Sequence, residues 1–268
     1  MSNTFSFSCI LDTNMEKQPL HPLIAVNSSE ANSQDSSANE TREASTFTVT
    51  CNISNEILLR LRSGSDVDMT SSEGYTILMY SILSENIDMM RFFINSGANV
   101  NYRDRTGKTA LVWAVLKNRS DFVHLLLQSG ADVNSTCLEG RTPVMYSASK
   151  GDQMESLLKA GGDIRVKDKC GMTALMYAVL HERNDLIKLL INWGADVNST
   201  CPEGMTALMY STVDSSLETV KFLISMGADL NIKDSEGLTA LLWAVIHGND
   251  NCVKLLLDAR RIQCGNTV

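Results

Sequence analysis

Apolar and polar positions alternate along this chain in a pattern that repeats about every 33 residues. Each copy holds a short apolar stretch, a polar break, a second apolar stretch and a turn that resembles Gly-Ala-Asp. The glycines that open the six copies are spaced by 33, 33, 31, 33 and 33 residues: Gly74, Gly107, Gly140, Gly171, Gly204 and Gly237. A fixed period of this length indicates tandem repeats of one structural unit.

One copy predicts a pair of helices. Thr109 suits the N-cap of a first helix, in which apolar residues of 111–115 have helical spacing. The polar residues 117–121 break that helix, and residues 122–127 form the apolar face of a second one. Gly130 is suited to end it in a left-handed conformation. A single pair cannot bury its apolar face, so the pairs must stack into one continuous core.

The same residues carry a family resemblance. Gly-x-Thr-Ala-Leu stands at 107–111, 171–175 and 204–208, and Gly-Ala-Asp-Val-Asn stands at 130–134 and 194–198. These motifs resemble those of ankyrin repeats, although Thr-Ala-Leu-Met replaces the family's usual Thr-Pro-Leu-His. The resemblance implies an all-α ankyrin-repeat solenoid of stacked helix-turn-helix units with extended hairpin turns. It also implies a role in binding other proteins.

The repeat pattern divides the chain into eight segments. A disordered Ser/Asn-rich tail precedes a partial capping repeat, and the third full repeat is two residues short, with the deletion placed near residues 150–152. The predicted segments are 1–45 (tail), 46–73 (cap), 74–106, 107–139, 140–170 (short), 171–203, 204–236 and 237–268. At the last repeat, either Arg260 and Arg261 form a weak polar cap, which we favour, or this end docks on another chain.

Composition restricts the class of protein. The chain is 44% hydrophobic and 20% charged, with a net charge of −8, which favours a folded, monomeric chain with protein partners over one that coats nucleic acid. Apolar runs are far too short to cross a membrane, and no secretory signal is evident. Seven cysteines without a C-x-x-C pair indicate reduced thiols and a cytoplasmic or nuclear location.

An aromatic residue occupies one equivalent position in every repeat: Tyr80, Trp113, Tyr146, Tyr177, Tyr210 and Trp243. Stacked repeats place these residues in a line along the first helices. The line is either a row of anchors for a partner or framework packing between helices. We favour framework for the rings and expect the polar edges to reach the groove.

Basic residues mark alternate turns: Arg103, Arg105, Lys167, Lys169 and Lys233. They either contact an acidic segment of a partner or are ordinary solvated turn residues. A second alternation runs with them, since the residue five after each threonine is in turn Ser81, Ala114, Ser147, Ala178, Ser211 and Ala244. This alternation indicates that the array grew by duplication of pairs of repeats.

The sequence shows no complete motif for a catalytic, nucleotide-binding or metal site. Gly107-Lys108-Thr109 matches only the end of a P-loop, and the four histidines lack partners at metal-ligand spacing. We expect no catalytic residue, cofactor or metal. The family resemblance also implies that Asn134 and Asn198 match substrates of an asparaginyl hydroxylase, whereas a turn asparagine making local hydrogen bonds is the simpler interpretation.

The sequence therefore predicts a non-enzymatic interaction module or scaffold that binds a protein through its concave face and turn tips. Two alternatives remain. The chain is an inhibitor or cofactor of a transcription factor, similar to the inhibitors of NF-kappa-B, or it is an adaptor that delivers substrates to a ubiquitin ligase or kinase.

Overall fold

The structure is a computed structural model that describes residues 66–213 and 216–265, with side chains up to residue 262. The described residues belong to one compact unit by their contacts. The predicted tail, 1–45, and residues 46–65 of the predicted cap lie outside the described residues.

Paired helices make up the described part of the chain. The first helices of the six pairs are α1 (Ile77–Leu83), α3 (Ala110–Leu116), α5 (Pro143–Lys150), α7 (Ala174–Leu180), α9 (Ala207–Val213) and α11 (Ala240–Ile246). The second helices are α2 (Ile87–Asn95), α4 (Ser120–Gln128), α6 (Met154–Lys159), α8 (Asn184–Asn192), α10 (Leu217–Ser225) and α12 (Asp250–Gly265). Across these residues the extended structure is confined to isolated bridges, so the predicted all-α solenoid is confirmed.

Threonine side chains begin most of the first helices. Thr76, Thr142, Thr173 and Thr206 each accept a hydrogen bond from the backbone N–H three residues later. Thr109 takes the predicted N-cap position, but its side chain makes no capping bond and instead lies 3.4 Å from the Ser135 hydroxyl. The expected C-cap is present, since Gly130 has a φ of 85°.

The core runs along the stacked first helices, each of which packs against the next. The residue third after the capping threonine lies at its centre in five repeats, at most 2% exposed: Met79, Val112, Met145, Met176 and Met209. Fully burying such a side chain stabilises the fold by about 1.5–3 kcal/mol. Because each described first helix packs against the next, stability is a property of the array.

The short third repeat differs at the turn between its helices. The first, second, fourth and sixth repeats turn through a left-handed residue, as at Asn118, with a φ of 53°. Here α5 extends to Lys150, Gly151 to Gln153 form the turn, and α6 has 6 residues where α4 has 9. The shortening leaves two buried oxygens, Ser147 Oγ and Gln153 Oε1, without a hydrogen-bond partner.

The last described repeat leaves apolar side chains open to solvent. In α11, Leu242 is 43% and Val245 55% exposed. The equivalent residues of the fifth repeat, Met209 and Thr212, are at most 1% exposed because α11 covers them. Arg261 pairs with Asp258 at 3.6 Å within α12.

Candidate interaction surface

Hairpin turns connect the repeats, and we number them 1 to 6 as residues 70–75, 103–108, 136–141, 167–172, 200–205 and 233–238. Each is closed by backbone hydrogen bonds, as where Asp104 N donates to Lys108 O at 2.9 Å and Gly107 N donates to Asp104 O at 2.9 Å. Gly107 has a φ of 78°, and a Cβ there would lie 2.7 Å from Leu138 N of the next turn. Glycine is therefore required both by the backbone conformation and by the close approach of the neighbouring turn.

Single backbone hydrogen bonds join successive turns. Arg105 N donates to Glu73 O at 3.3 Å, and Lys169 N donates to Glu139 O at 2.9 Å. Similar bonds run from Leu138 N to Thr106 O and from Ser235 N to Glu203 O. Pro202 occupies the equivalent position in turn 5 and has no N–H to donate. This series of bonds is therefore interrupted between turns 4 and 5.

A buried aspartate organises each of the even-numbered turns. In turn 2, Asp104 Oδ1 accepts the backbone N–H of Thr106 at 2.8 Å and that of Lys108 at 2.9 Å. Its other oxygen, Oδ2, accepts the indole N–H of Trp113 at 2.9 Å. One carboxylate thus fixes the turn and ties it to the first helix that follows.

From turn 2 onward, each turn is paired with the aromatic side chain nine residues later. Tyr177 Oη donates to Asp168 Oδ2 at 2.6 Å, and Trp243 Nε1 donates to Asp234 Oδ2 at 2.7 Å. Cysteines replace the aspartates in turns 3 and 5. The Tyr146 hydroxyl donates to Cys137 Sγ at 3.2 Å, and the Tyr210 hydroxyl lies 3.6 Å from Cys201 Sγ. The polar ends of these side chains are therefore bonded to the turn that precedes their own helix.

The aromatic side chains differ in exposure. Tyr146, Tyr210 and Trp243 are buried, whereas Tyr80, Trp113 and Tyr177 are half-buried. Tyr75 packs edge-on against both Tyr80 and Trp113, with ring centroids 5.9 and 5.4 Å away. The half-buried members keep part of a ring accessible to a partner.

Burial raises the pKa of the tyrosine hydroxyls that bond to these turns. Desolvation, followed by the bond to Cys137, raises the pKa of Tyr146 far above its ordinary value. Burial likewise raises the pKa of Tyr177 and of Tyr210, helped by the bonds to Asp168 and Cys201. Desolvation also raises the pKa of the Cys201 thiol. The hydroxyls therefore stay protonated across the physiological range and remain available as donors.

The predicted basic turn residues, Arg103, Arg105, Lys167, Lys169 and Lys233, are all exposed. They flank aspartates that are buried, so their charges project outward while the carboxylate between them points inward. Lys167 Nζ also donates to Thr200 O of the next turn at 2.8 Å.

Arg141 bridges turns 3 and 4, and the sequence alone did not indicate this role. Its side chain is only 14% exposed, and its Nε lies 3.5 Å from both Glu139 and Asp168 carboxylate oxygens. The guanidinium stacks over the Tyr177 ring at 5.1 Å. Its single charge therefore lies between the exposed Glu139 of turn 3 and the buried Asp168 of turn 4.

Both asparagines considered for modification join neighbouring repeats. Asn134 Nδ2 donates to Gly161 O at 3.1 Å, and its Oδ1 accepts Asp163 N at 2.8 Å. Asn198 makes the equivalent pair with Gly227 O at 3.3 Å and Asp229 N at 2.8 Å. The side-chain amides therefore join each repeat to the next by hydrogen bonds.

The pockets in the part of the chain that the structure describes are either small or open to solvent. A pocket of about 120 Å³ beside the last repeat is lined by Leu241, Leu256 and Arg260, whereas typical ligand sites enclose roughly 300–1,000 Å³. A depression of about 320 Å³ near Lys188 and Phe222 is open to solvent. Residues 66–213 and 216–262 hold no cluster of three His, Cys, Asp or Glu side chains placed to bind a metal. None of the described helices has the length and apolar character needed to cross a membrane.

The nine-residue pairing was missed at the level of sequence, although a signal for it exists. Asp and Cys alternate from turn to turn in phase with the Ser and Ala of the first helices, and each stands nine residues before an aromatic residue. Spacing alone does not show that two side chains meet, because the intervening turn must fold back first.

Comparisons with known proteins agree with this architecture. Among solved structures, the chain is similar to the crystal structure of the ankyrin repeat domain of Bcl-3, described as a unique member of the IkappaB protein family. The two share 24% identity at a TM-score of 0.64, over 70% of this chain and 87% of that one, which shows the fold alone. The fold is common, since 619 chains match. No curated protein sequence matches the chain.

The family is established by a second comparison. A family model described as three copies of ankyrin repeats matches residues 48–137, 134–201 and 194–267. Members of this family generally mediate interactions between proteins. Because the match extends over most of its length, the chain belongs to the ankyrin-repeat family.

Proposed function

We propose that the protein is a non-enzymatic interaction module or scaffold that binds a protein partner through its first helices and turn tips. The observation that carries this proposal is the inward bonding of the even-numbered turns. Asp104, Asp168 and Asp234 direct their carboxylates to aromatic donors of the following helix, while basic neighbours project to solvent. The residues proposed to form or support the contact surface are Tyr80, Trp113, Tyr146, Tyr177, Tyr210, Trp243, Arg103, Arg105, Lys167, Lys169 and Lys233.

Within this set, exposure suggests two kinds of contribution. The half-buried Tyr80, Trp113 and Tyr177 offer ring surface to a partner, and the exposed basic residues offer charge. The buried Tyr146, Tyr210 and Trp243 act by holding the turns in place. Since the turns are already fixed by hydrogen bonds, a partner meets little ordering cost on this side of the interface.

A second candidate is an inhibitor or cofactor of a transcription factor. It is favoured by the structural likeness to Bcl-3, whose family is named IkappaB, and by the net negative charge of −8. A basic segment of a transcription factor would then meet acidic surface. Under either proposal we place the protein in the cytoplasm, the nucleus or both.

Modification of Asn134 and Asn198 by an asparaginyl hydroxylase is a further part of the proposal. Both amides bond to the following repeat, so an enzyme would reach them after local opening of the turn. Intact-mass and peptide analysis of protein from cells checks this through the gain of one oxygen, about 16 daltons. Unchanged peptides from cells that contain the hydroxylase would exclude it.

Affinity capture with matched charge variants tests the main function. The full chain, an Arg103→Glu/Lys169→Glu variant and a Lys188→Glu/Lys221→Glu control are each used to capture proteins from the native cell. All four residues are exposed, and the control pair lies on α8 and α10. We expect a defined partner that the turn variant loses and the control retains. The proposal is contradicted if the turn variant captures the same partner as the full chain, or if the full chain captures no protein.

A further inference from the structure

The charged turns show a regularity that is specific to this chain. Turn 2 exposes Arg103 and Arg105, and turn 4 exposes Lys167 and Lys169. The aspartate inside each turn is buried, at 6% exposure for Asp104 and 7% for Asp168. Its carboxylate is bonded to backbone N–H groups and to an aromatic donor. Both turns are therefore outwardly basic although each contains an acidic residue.

Turn 3, which lies between them, does not cancel the positive charge of turns 2 and 4. Turn 3 exposes Glu139, but Arg141 approaches its carboxylate at 3.5 Å. Two cationic sites thus flank a turn whose charge is balanced. Beyond them, turn 1 exposes Glu73 and turn 5 exposes Glu203. The basic tract from turn 2 to turn 4 is limited on both sides by acidic residues.

Repeat geometry sets the distance between the two cationic sites. Neighbouring helices pack about 8–10 Å apart, so turns two repeats apart are separated by about 16–20 Å. An extended peptide advances about 3.3 Å per residue. Two acidic groups about five or six residues apart on an extended segment therefore match turns 2 and 4.

From this arrangement we propose that the turn tips bind an extended acidic peptide segment of the partner. Two acidic clusters of that segment, about six residues apart, contact turns 2 and 4. This inference rests on the proposed function and adds the chemistry and spacing of the partner. Glu73 and Glu203 repel a segment shifted by one repeat, because the shift would bring its acidic clusters against turns 1, 3 or 5. Turns 1, 3 and 5 therefore disfavour a shift of the segment by one repeat.

Synthetic peptides test the spacing directly. Two fluorescent peptides of the same composition carry two Glu-Glu pairs, with the pair centres about six or about three residues apart. A third peptide replaces the glutamates by glutamine. Fluorescence anisotropy with the full chain is expected to show tighter binding of the wide-spaced peptide, weakening as salt is raised. Equal affinity for both spacings, or undiminished binding of the glutamine peptide, overturns the proposal.

Charge-neutralising variants locate the contact. Arg105→Gln with Lys169→Gln removes one cation from each site and leaves their backbone bonds intact. It is expected to weaken binding of the wide-spaced peptide about three- to tenfold, as exposed ion pairs predict. Lys188→Gln with Lys221→Gln removes the same charge from the second helices and is expected to leave affinity unchanged. Equal losses in both variants, or tighter binding of a duplex nucleic acid than of the peptide, contradict the proposal.

Different results would contradict the acidic-segment inference and the proposed function. If the peptides show no dependence on spacing or turn charge while affinity capture still yields a partner that the turn variant loses, the acidic-segment inference is wrong and the interaction module stands. If capture retains no protein, the proposed function itself is wrong.

Discussion

The Tyr177 hydroxyl donates a hydrogen bond of 2.6 Å to Asp168 Oδ2, and the other oxygen of that carboxylate accepts the N–H groups of Cys170 and Met172 at 2.9 Å each. Arg141 adds its charge nearby, with Nε 3.5 Å from the same Oδ2. Because the carboxylate is only 1% exposed, its charge depends on these donors. The pair joins a turn to the helix that follows it.

A double-mutant cycle on this pair is expected to show strong coupling. Tyr177→Phe removes one donor to a buried carboxylate and should lower the free energy of unfolding by about 1–3 kcal/mol. Asp168→Ala leaves two backbone N–H groups and the tyrosine unbonded, so it should cost more, about 3 kcal/mol. The double variant should cost less than the sum of the two. Urea unfolding of the four proteins measures the coupling, and strictly additive costs would contradict a direct interaction.

Stability is expected to fall with rising pH above about 10. The folded state raises the pKa of Tyr146, Tyr177 and Tyr210 above the ordinary value of 10.0, mainly through burial. The unfolded chain therefore releases these protons first, and stability is full below pH 10 and is lost as pH rises beyond it. Between about pH 10 and 11 each of the three should contribute a loss of about 1 kcal/mol.

Urea unfolding across this pH range checks the assignment. A Tyr146→Phe/Tyr210→Phe variant removes two of the three hydroxyls and should lose about 2 kcal/mol less than the wild type over the same interval. Lysines and other groups are common to both proteins and cancel in the difference. Parallel pH profiles for the two proteins would show that these tyrosines are not the cause.

Asn134 is expected to stabilise the junction between two repeats. It bonds to both Gly161 and Asp163 of the following repeat, so Asn134→Ala should lower the unfolding free energy by about 1–2 kcal/mol. Asn231 offers a matched control, since its bonds run to Asp229 of the same turn. Asn231→Ala should cost well under 1 kcal/mol. Thermal unfolding that ranks the two variants equally would refute an inter-repeat role.

The exposed end of the array is expected to tolerate polar substitution. Leu242→Gln should change the unfolding free energy by less than about 0.5 kcal/mol, because the side chain is already 43% exposed. Met209→Gln, at the equivalent position one repeat earlier, should cost about 3 kcal/mol because that side chain is 1% exposed. Denaturation midpoints compare the two. A large cost for Leu242→Gln would indicate that another chain covers this face in solution.

Several features of the fold could be read from local patterns. The period of about 33 residues predicted the stacked pairs, and Thr76, Thr142, Thr173 and Thr206 cap the helices that their positions predicted. The left-handed Gly130 was predicted from its place after an apolar helix. These features depend on contacts within a few residues, which composition and spacing describe directly.

Other features depend on which side chains meet after the turns fold back. The sequence supplied Asp104 and Trp113 at a nine-residue spacing, but only the folded turn brings carboxylate and indole together at 2.9 Å. Arg141 likewise reaches Asp168 of the next turn only because the repeats stack. The expectation that the aromatic polar edges reach the groove did not anticipate these bonds, which direct them to the turns.

The amino-acid sequence by itself determined the family, the helical pairs and the alternation of turns, because a helix and its cap are encoded by neighbouring residues. Tertiary structure decided which charges face solvent and which are bonded inside. That decision depends on the close approach of successive turns, where the buried aspartates of the even-numbered turns accept hydrogen bonds and the flanking cations stay exposed.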